Sequence, residues 1–464
     1  MMNTEKRKAK LGWFSIYSYG LGEFGWTFLL SMVSYYLLYY MTDVLMLPLR
    51  LAGIIYAAVQ WVEAGSALAA GVIMDHARLR RGQYSPWLLI GGVTCAAGSV
   101  LYFTNFHLGV AGNAVAFVIF YTIAYAGFNF MWISHRAMAG LMGGKPEELV
   151  RLTISGTQMG TVASLAYGFL YERIRLGITD ANQSFPVTAL VFGGILVVSM
   201  SVVYRNVRPY DTGHVERRQK ETAIASLREM LMSLIPVIPY GLSYILSIGA
   251  STLILSLLVY YFTYAVGRPE LLSVLMTVMA AVRFAATFLV APLAKRFDKK
   301  SIYIGSVLAG SFFCCCAYFF RESLPCFFVL LLLYFFSLVP AGAMFMPCIT
   351  DAADYNEYIK NLHTRGFLYS VASTFSYVAQ FVGASVSSVG LVAIGYQASW
   401  QEWSARMIQG IAVLTLLGTA VLTIFSAVPM IWYPLNRKTM EQVYIRKDAA
   451  MSGTGENIGG VQEK

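Results

Sequence analysis

The chain has 464 residues, 57% of them hydrophobic and only 12% charged, whereas an ordinary soluble domain carries about 25% charged residues. So few charges cannot coat the roughly three globules that this length would otherwise allow, so a water-soluble class is excluded. The net charge of +10 does not point to nucleic acid, because Lys and Arg flank apolar runs and form no patch beside a reader motif.

Apolar runs of about 20 residues, enough to cross a ~30 Å hydrocarbon layer, recur along the chain. Twelve spans are predicted, at 13–42, 51–74, 87–105, 111–134, 152–172, 185–204, 235–265, 271–293, 302–320, 326–349, 367–396 and 407–433. The fold class is therefore an all-α membrane protein with twelve transmembrane helices. The first span contains Glu23, is long and lacks a small-residue cleavage pattern, so it is not expected to be a cleaved leader. The six cysteines, Cys95, Cys314, Cys315, Cys316, Cys326 and Cys348, all sit inside apolar runs. Their spacing suits neither a disulfide framework nor a metal site, and neither metal nor cofactor is expected.

The basic residues set the orientation. With the N-terminus cytoplasmic, 27 Lys and Arg fall on the cytoplasmic side and six on the other, with Arg283 inside a span. The positive-inside rule then puts both termini in the cytoplasm of a cell whose inner, cytoplasmic membrane holds the protein. The longest polar stretch follows span six. It divides the chain into a cytoplasmic N-terminus (1–12), a six-helix bundle (13–204), a cytoplasmic linker (205–234), a second six-helix bundle (235–433) and a cytoplasmic tail (434–464). An internal repeat supports that division. Tyr19-Gly20-Leu21 recurs as Tyr240-Gly241-Leu242, and Tyr39-Tyr40 with Thr42 recurs as Tyr260-Tyr261 with Thr263, both at an offset of 221 residues. Two parallel six-helix repeats imply a central cavity and movement of one half against the other. That is the architecture of a secondary transporter of the major facilitator type.

Several strings carry a resemblance. YGLGEFG (19–25) is followed by Tyr39-Tyr40-Met41-Thr42-Asp43-Val44. Asp75 precedes RLRRGQYSPW (78–87), and Arg205-Asn206-Val207 follows span six. Asp351-Ala352-Ala353-Asp354-Tyr355 with Glu357, then Arg365-Gly366 and Tyr369-Ser370, follow span ten. Over nearly its whole length the chain resembles the glycoside-pentoside-hexuronide:cation symporters, the melibiose permease-like branch of the major facilitator superfamily. The resemblance implies uptake of a glycoside, a hexuronide or a related polar metabolite by alternating access. No nucleotide-binding motif accompanies it, so gradients supply the energy. Members place two Asp at i and i+4 in span two; the matching positions here are Glu63 and Ala67. One carboxylate makes a poor Na⁺ cage but is able to carry a proton, which makes H⁺ the expected coupling ion ahead of Na⁺. An uncoupled facilitator or exchanger, and a transporter-like membrane sensor, are the alternatives.

Charges inside spans are expensive and mark function by default. Three qualify: Glu23, Glu63 and Arg283. Glu63 is the candidate coupling residue. Arg283 suits a carboxylate or phosphate through its planar fork and is expected to pair with Glu63 or Glu23, the alternative being a static ion pair or a snorkelling side chain. Helical spacing adds Trp26 and Thr27 beside Glu23 on span one, Gln60 beside Glu63 on span two, and Asn129 and Trp132 on span four. These stripes join aromatic faces to hydrogen-bonding groups, the combination a sugar needs. Tyr377 and Gln380 on span eleven complete the candidate substrate site, although each aromatic also fits plain core packing. Asp75, Arg78, Arg81, Asp351, Asp354 and Arg365 are candidates for a cytoplasmic gate made of ion pairs. A small-molecule substrate and the lipid bilayer are the expected partners, with no nucleic acid, and the chain is expected to act as a monomer.

Overall fold

A computed structural model describes residues 11–76, 82, 84–142, 146–178, 180–211, 227–362, 365–396, 405–435 and 437–451. Arg78 and Arg81 lie outside them. All regular elements among the described residues are helical, and nine helices are long and apolar enough to cross a membrane. The chain forms two compact units. One comprises Met1–Arg218, Ser251–Phe284 and Gln380–Gly418, the other Gln219–Ala250, Ala285–Ala379 and Thr419–Lys464.

The first unit begins with α1 (Trp13–Tyr39), which ends in a π-helical turn at Tyr40–Val44. Then come α2 (Leu49–His76), α3 (Ser85–Tyr102), α4 (Gly109–Met142), α5 (Pro146–Gly177) and α6 (Ala181–Val207). Glycine decides how closely α1 is wrapped. A Cβ at Gly20 would lie 2.8 Å from Ser155 O of α5, one at Gly22 would strike the His135 ring of α4, and one at Gly25 would lie 2.8 Å from Ser199 Cβ of α6. Three neighbours thus approach α1 where it has no side chain, as expected for helices that pack through small residues. Helix starts are satisfied from outside: Asp211 accepts from Tyr84 N (3.0 Å) and Ser85 N (2.6 Å) at the head of α3, and Asp180 accepts from Asn182 N (2.9 Å) at the head of α6.

Helix α7 (Leu227–Leu234) precedes α8 (Ile238–Tyr260), which passes from the second unit into the first and closes in a π-helical turn at Tyr261–Val266. Gly267, at φ +69°, ends it in the left-handed conformation that glycine adopts without strain. Next come α9 (Glu270–Arg296), α10 (Lys299–Phe319), α11 (Leu324–Ala343), α12 (Phe345–Tyr358) and α13 (Arg365–Ala393). The tenth expected span, 326–349, is interrupted only at Met344, between α11 and α12 and one turn after Pro340, within one apolar stretch, Leu324–Tyr358, long enough to cross a membrane. The twelfth is likewise segmented into α14 (Ala405–Ala412), a π-helical turn, α15 (Thr419–Phe425) and α16 (Ala427–Met430), and the tail carries α17 (Arg437–Met451). The core of the second unit gathers Tyr240, Tyr303, Met344, Cys348, Leu368, Met430 and Tyr433. Tyr303 anchors it by donating to Ser243 O at 2.7 Å.

Candidate functional site

Glu63 stands midway along α2 and is only 6% exposed. The Tyr121 hydroxyl of α4 donates to its Oε1 at 2.5 Å. Asn129, two turns further along the same face of α4, donates through Nδ2 to Glu63 O (3.1 Å) and to Ser66 Oγ (2.7 Å). Gln60 is one turn from Glu63 and buried, and its Oε1 has no donor among the described residues. A buried acceptor left open is costly, of order 1–3 kcal/mol. The region beside it is rich in rings: Tyr121 stacks on Tyr125 at 4.5 Å between centroids, and Trp61 of α2 meets Phe381 of α13 at 5.7 Å.

Glu23 lies on α1, half-buried over α5. Gly156 makes the space for it, since a Cβ there would come 2.9 Å from Glu23 Cγ, and Gly160 leaves similar room beside Thr27. Thr27 returns its hydroxyl to Glu23 O at 2.5 Å. Trp26 is packed in the interior, edge-on to Phe128 and His135. Trp132 is half-buried, with the exposed Arg136 guanidinium 4.2 Å over its ring. Arg136 is also near enough to act electrostatically on Glu23. Just behind this group, α1 and α4 are clasped. Tyr19 donates to His135 O and His135 Nε2 donates to Tyr19 O, both at 3.0 Å, and their rings stack 4.0 Å apart.

The expected partnership of Arg283 takes a different form. Among the described residues neither acid pairs with it. Glu63 is held by a phenol, the cation beside Glu23 is Arg136, and Arg283 is exposed on α9 with Tyr35 of α1 as an electrostatic neighbour. Tyr377 and Gln380 are half-buried on α13. Of the six residues in the expected gate, Asp351 and Asp354 are buried. Asp351 is joined by Lys299 at 2.5 Å, from the head of α10. The side chains of Asp75 and Arg365 lie outside the described residues.

Sequence spacing missed three participants. Tyr121 extends the Tyr125, Asn129 and Trp132 stripe by one turn backwards, and Arg136 extends it by one turn forwards. Tyr121 lies inside the expected span, 111–134, where following the stripe back would have reached it, and continuing the periodicity past 134 would have found Arg136. Lys299 was counted as a loop charge, and nothing in its spacing tied it to Asp351.

A family described as MFS/sugar transport protein matches residues 18–437. The chain belongs to that family. Membership in this MFS/sugar transport protein family makes it a multi-pass membrane transporter of sugar-like small molecules, not an enzyme, with no need of a classical cofactor. A Salmonella typhimurium protein with a provisional name as a 2,3-dihydroxypropane-1-sulfonate exporter is 26% identical, over 92% of this chain and 93% of its own. A glucuronide carrier protein homolog of Escherichia coli is 25% identical over 95% and 96%. The crystal structure of a D-xylose-proton symporter superposes with a TM-score of 0.65 at 13% identity, covering 92% of this chain and 98% of that one. This last likeness establishes the major facilitator fold.

Proposed function

We propose that the chain moves an anionic, hydroxyl-bearing solute of the hexuronide or glycoside class by alternating access, as a monomer, with proton symport coupled through Glu63. The observation that carries the proposal is the setting of Glu63: a carboxyl inside the helical core, hydrogen-bonded by Tyr121 and with no cation among the described residues within reach. A proton that comes and goes on a buried carboxyl changes the energetics of the site. Glu23, Thr27, Gln60, Asn129 and Trp132 supply acceptors, donors and a ring face for hydroxyls and sugar edges. Arg136, exposed beside Trp132, supplies the positive charge for a carboxylate or sulfonate. The names of the two relatives favour such a solute, since a glucuronide and a sulfonate both join hydroxyls to an anionic group. Arg283, Tyr377 and Gln380 belong to the same proposal as groups contributed by α9 and α13. The bias of Lys and Arg along the sequence puts both termini on the cytoplasmic side.

The test is uptake of a labelled glucuronide into proteoliposomes with and without an imposed pH gradient. Glu63→Gln keeps an acceptor for Tyr121 but has no proton to give. Its accumulation ratio should fall to about one while solute exchange persists. Undiminished gradient-driven accumulation by that variant would remove Glu63 from the coupling role. Equal uptake with and without the gradient in the native protein would favour a facilitator, the reading that a single carboxylate in α2 also permits.

A further inference from the structure

The repeat at an offset of 221 residues has a structural counterpart. Helix α1 gives way to a π-helical turn at Tyr40–Val44 and α8 to one at Tyr261–Val266, which is the same place in each copy. The two turns meet. The rings of Tyr39 and Tyr260 are 5.8 Å apart at 72°, and the Tyr264 hydroxyl donates to Asp43 Oδ1. Both contacts join positions 221 apart, that is, each residue touches its own equivalent in the other copy. Under a two-fold operation that happens only beside the axis. Asp43 therefore sits where the two repeats meet on their common axis, at the end of α1 remote from the N-terminus.

Its carboxylate is fully engaged there. Oδ1 also accepts from the Tyr396 hydroxyl, at the end of α13, at 2.7 Å, and the Tyr396 and Tyr264 hydroxyls are 3.2 Å apart. Oδ2 accepts from Thr42 at 2.5 Å, and Thr42 Oγ1 lies 2.8 Å from the Tyr260 hydroxyl. Thr42, Tyr260 and Tyr396 are all buried. The surrounding helices are drawn in as tightly: a Cβ at Gly53 of α2 would come 2.6 Å from Ser388 Cβ of α13, and one at Gly168 of α5 would come 2.7 Å from Ser273 O of α9. Beneath the carboxylate, Ser256 of α8 and Ser387 of α13 share a hydrogen bond at 2.8 Å.

We propose that Asp43 is a positioning residue for transport, gathering hydroxyls from α1, α8 and α13 to hold this end of the pathway shut. Every donor is neutral, so the contact is a set of hydrogen bonds and not an ion pair. Contacts between repeats are the ones that a movement of one repeat against the other must break, and here they converge on one carboxylate. The inference uses only the membership of a transporter family, not the solute or the coupling ion proposed above.

The test needs no substrate. In purified protein held in lipid nanodiscs, with the six native cysteines replaced and one cysteine installed at Ser256, a membrane-impermeant maleimide reports access to the layer beneath Asp43. With Asp43 present, labelling should be slow. Asp43→Ala, and separately Tyr264→Phe with Tyr396→Phe, should each speed it at least about tenfold, and Asp43→Asn, which keeps an acceptor, should fall between. Unchanged labelling in variants that still elute as folded monomers overturns the proposal, whether or not Glu63 couples a proton. If Asp43→Ala fails to fold, the tyrosine pair and Asp43→Asn decide it alone.

Discussion

Tyr121 donates to Glu63 at 2.5 Å across the α2 and α4 interface, so the acid is satisfied by a phenol on the next helix and not by a positive charge. This one bond gives the coupling proposal its shape. A cation would hold the carboxylate permanently ionised, whereas a hydroxyl serves either protonation state.

Removing that donor should be felt as stability. Tyr121→Phe leaves Oε1 of a buried acid without its partner, a loss of about 1–3 kcal/mol, and should lower the melting temperature measured in detergent. Combined with Glu63→Ala, which takes away the acceptor, the two losses should not add, because each variant removes the same bond.

Arg136 and Arg283 make separable predictions. Arg136→Gln should raise the KM for a glucuronide at least about tenfold, the worth of a lost charge-assisted hydrogen bond, and leave a neutral glycoside within about twofold. Arg283→Ala makes the same comparison for α9. An equal loss for charged and neutral solutes, measured by competition in proteoliposomes, would mark either arginine as structural.

The packing of α1 gives a third. Gly22→Ala places a methyl against the His135 ring and should cost about 1–3 kcal/mol by overpacking. Gly194→Ala, whose Cβ would meet nothing within 4 Å on α6, should be neutral or gain about 0.5–1 kcal/mol from its better helix propensity. Thermal unfolding of the two variants checks the contrast.

Lys299 and Asp351 give a fourth. The carboxylate side chain is 6% exposed and the lysine 32%, so Lys299→Met takes this cation from a buried carboxylate and should lower the melting temperature. Adding Asp351→Asn should recover part of the loss, because the carboxylate's charge is then gone.

The helical membrane class was legible because it rests on composition and on runs of apolar residues, signals that survive any detail of packing. Single-residue geometry was legible where periodicity reached it: Gln60 stood out by its spacing from Glu63 and Asn129 by its spacing from Trp132, and both are buried near Glu63. What failed was the bookkeeping at span ends. The limit of span four at 134 leaves Arg136 outside it, and α4 continues through it to Met142. Asp43 was read only as part of a family string, since the residues that make it matter, Tyr264 and Tyr396, are 221 and 353 positions away. The offset between repeats held that information, for Tyr264 is the counterpart of Asp43, but an Asp replaced by a Tyr does not register as similarity. The break between α11 and α12 was likewise invisible to hydropathy, because apolar residues continue across it.

The clasp of Tyr19 with His135 has a consequence for what the protein is able to distinguish. Each ring is fastened to the other helix's main chain, so α1 and α4 can neither slide nor roll independently without releasing both fastenings. Glu23 lies one turn from Tyr19, and Arg136 is the very next residue after His135. The clasp therefore fixes where α1 and α4 place the backbone of that acid and that base, so that, under the proposed function, the site would tolerate little change in the distance between a solute's anionic group and its hydroxyls.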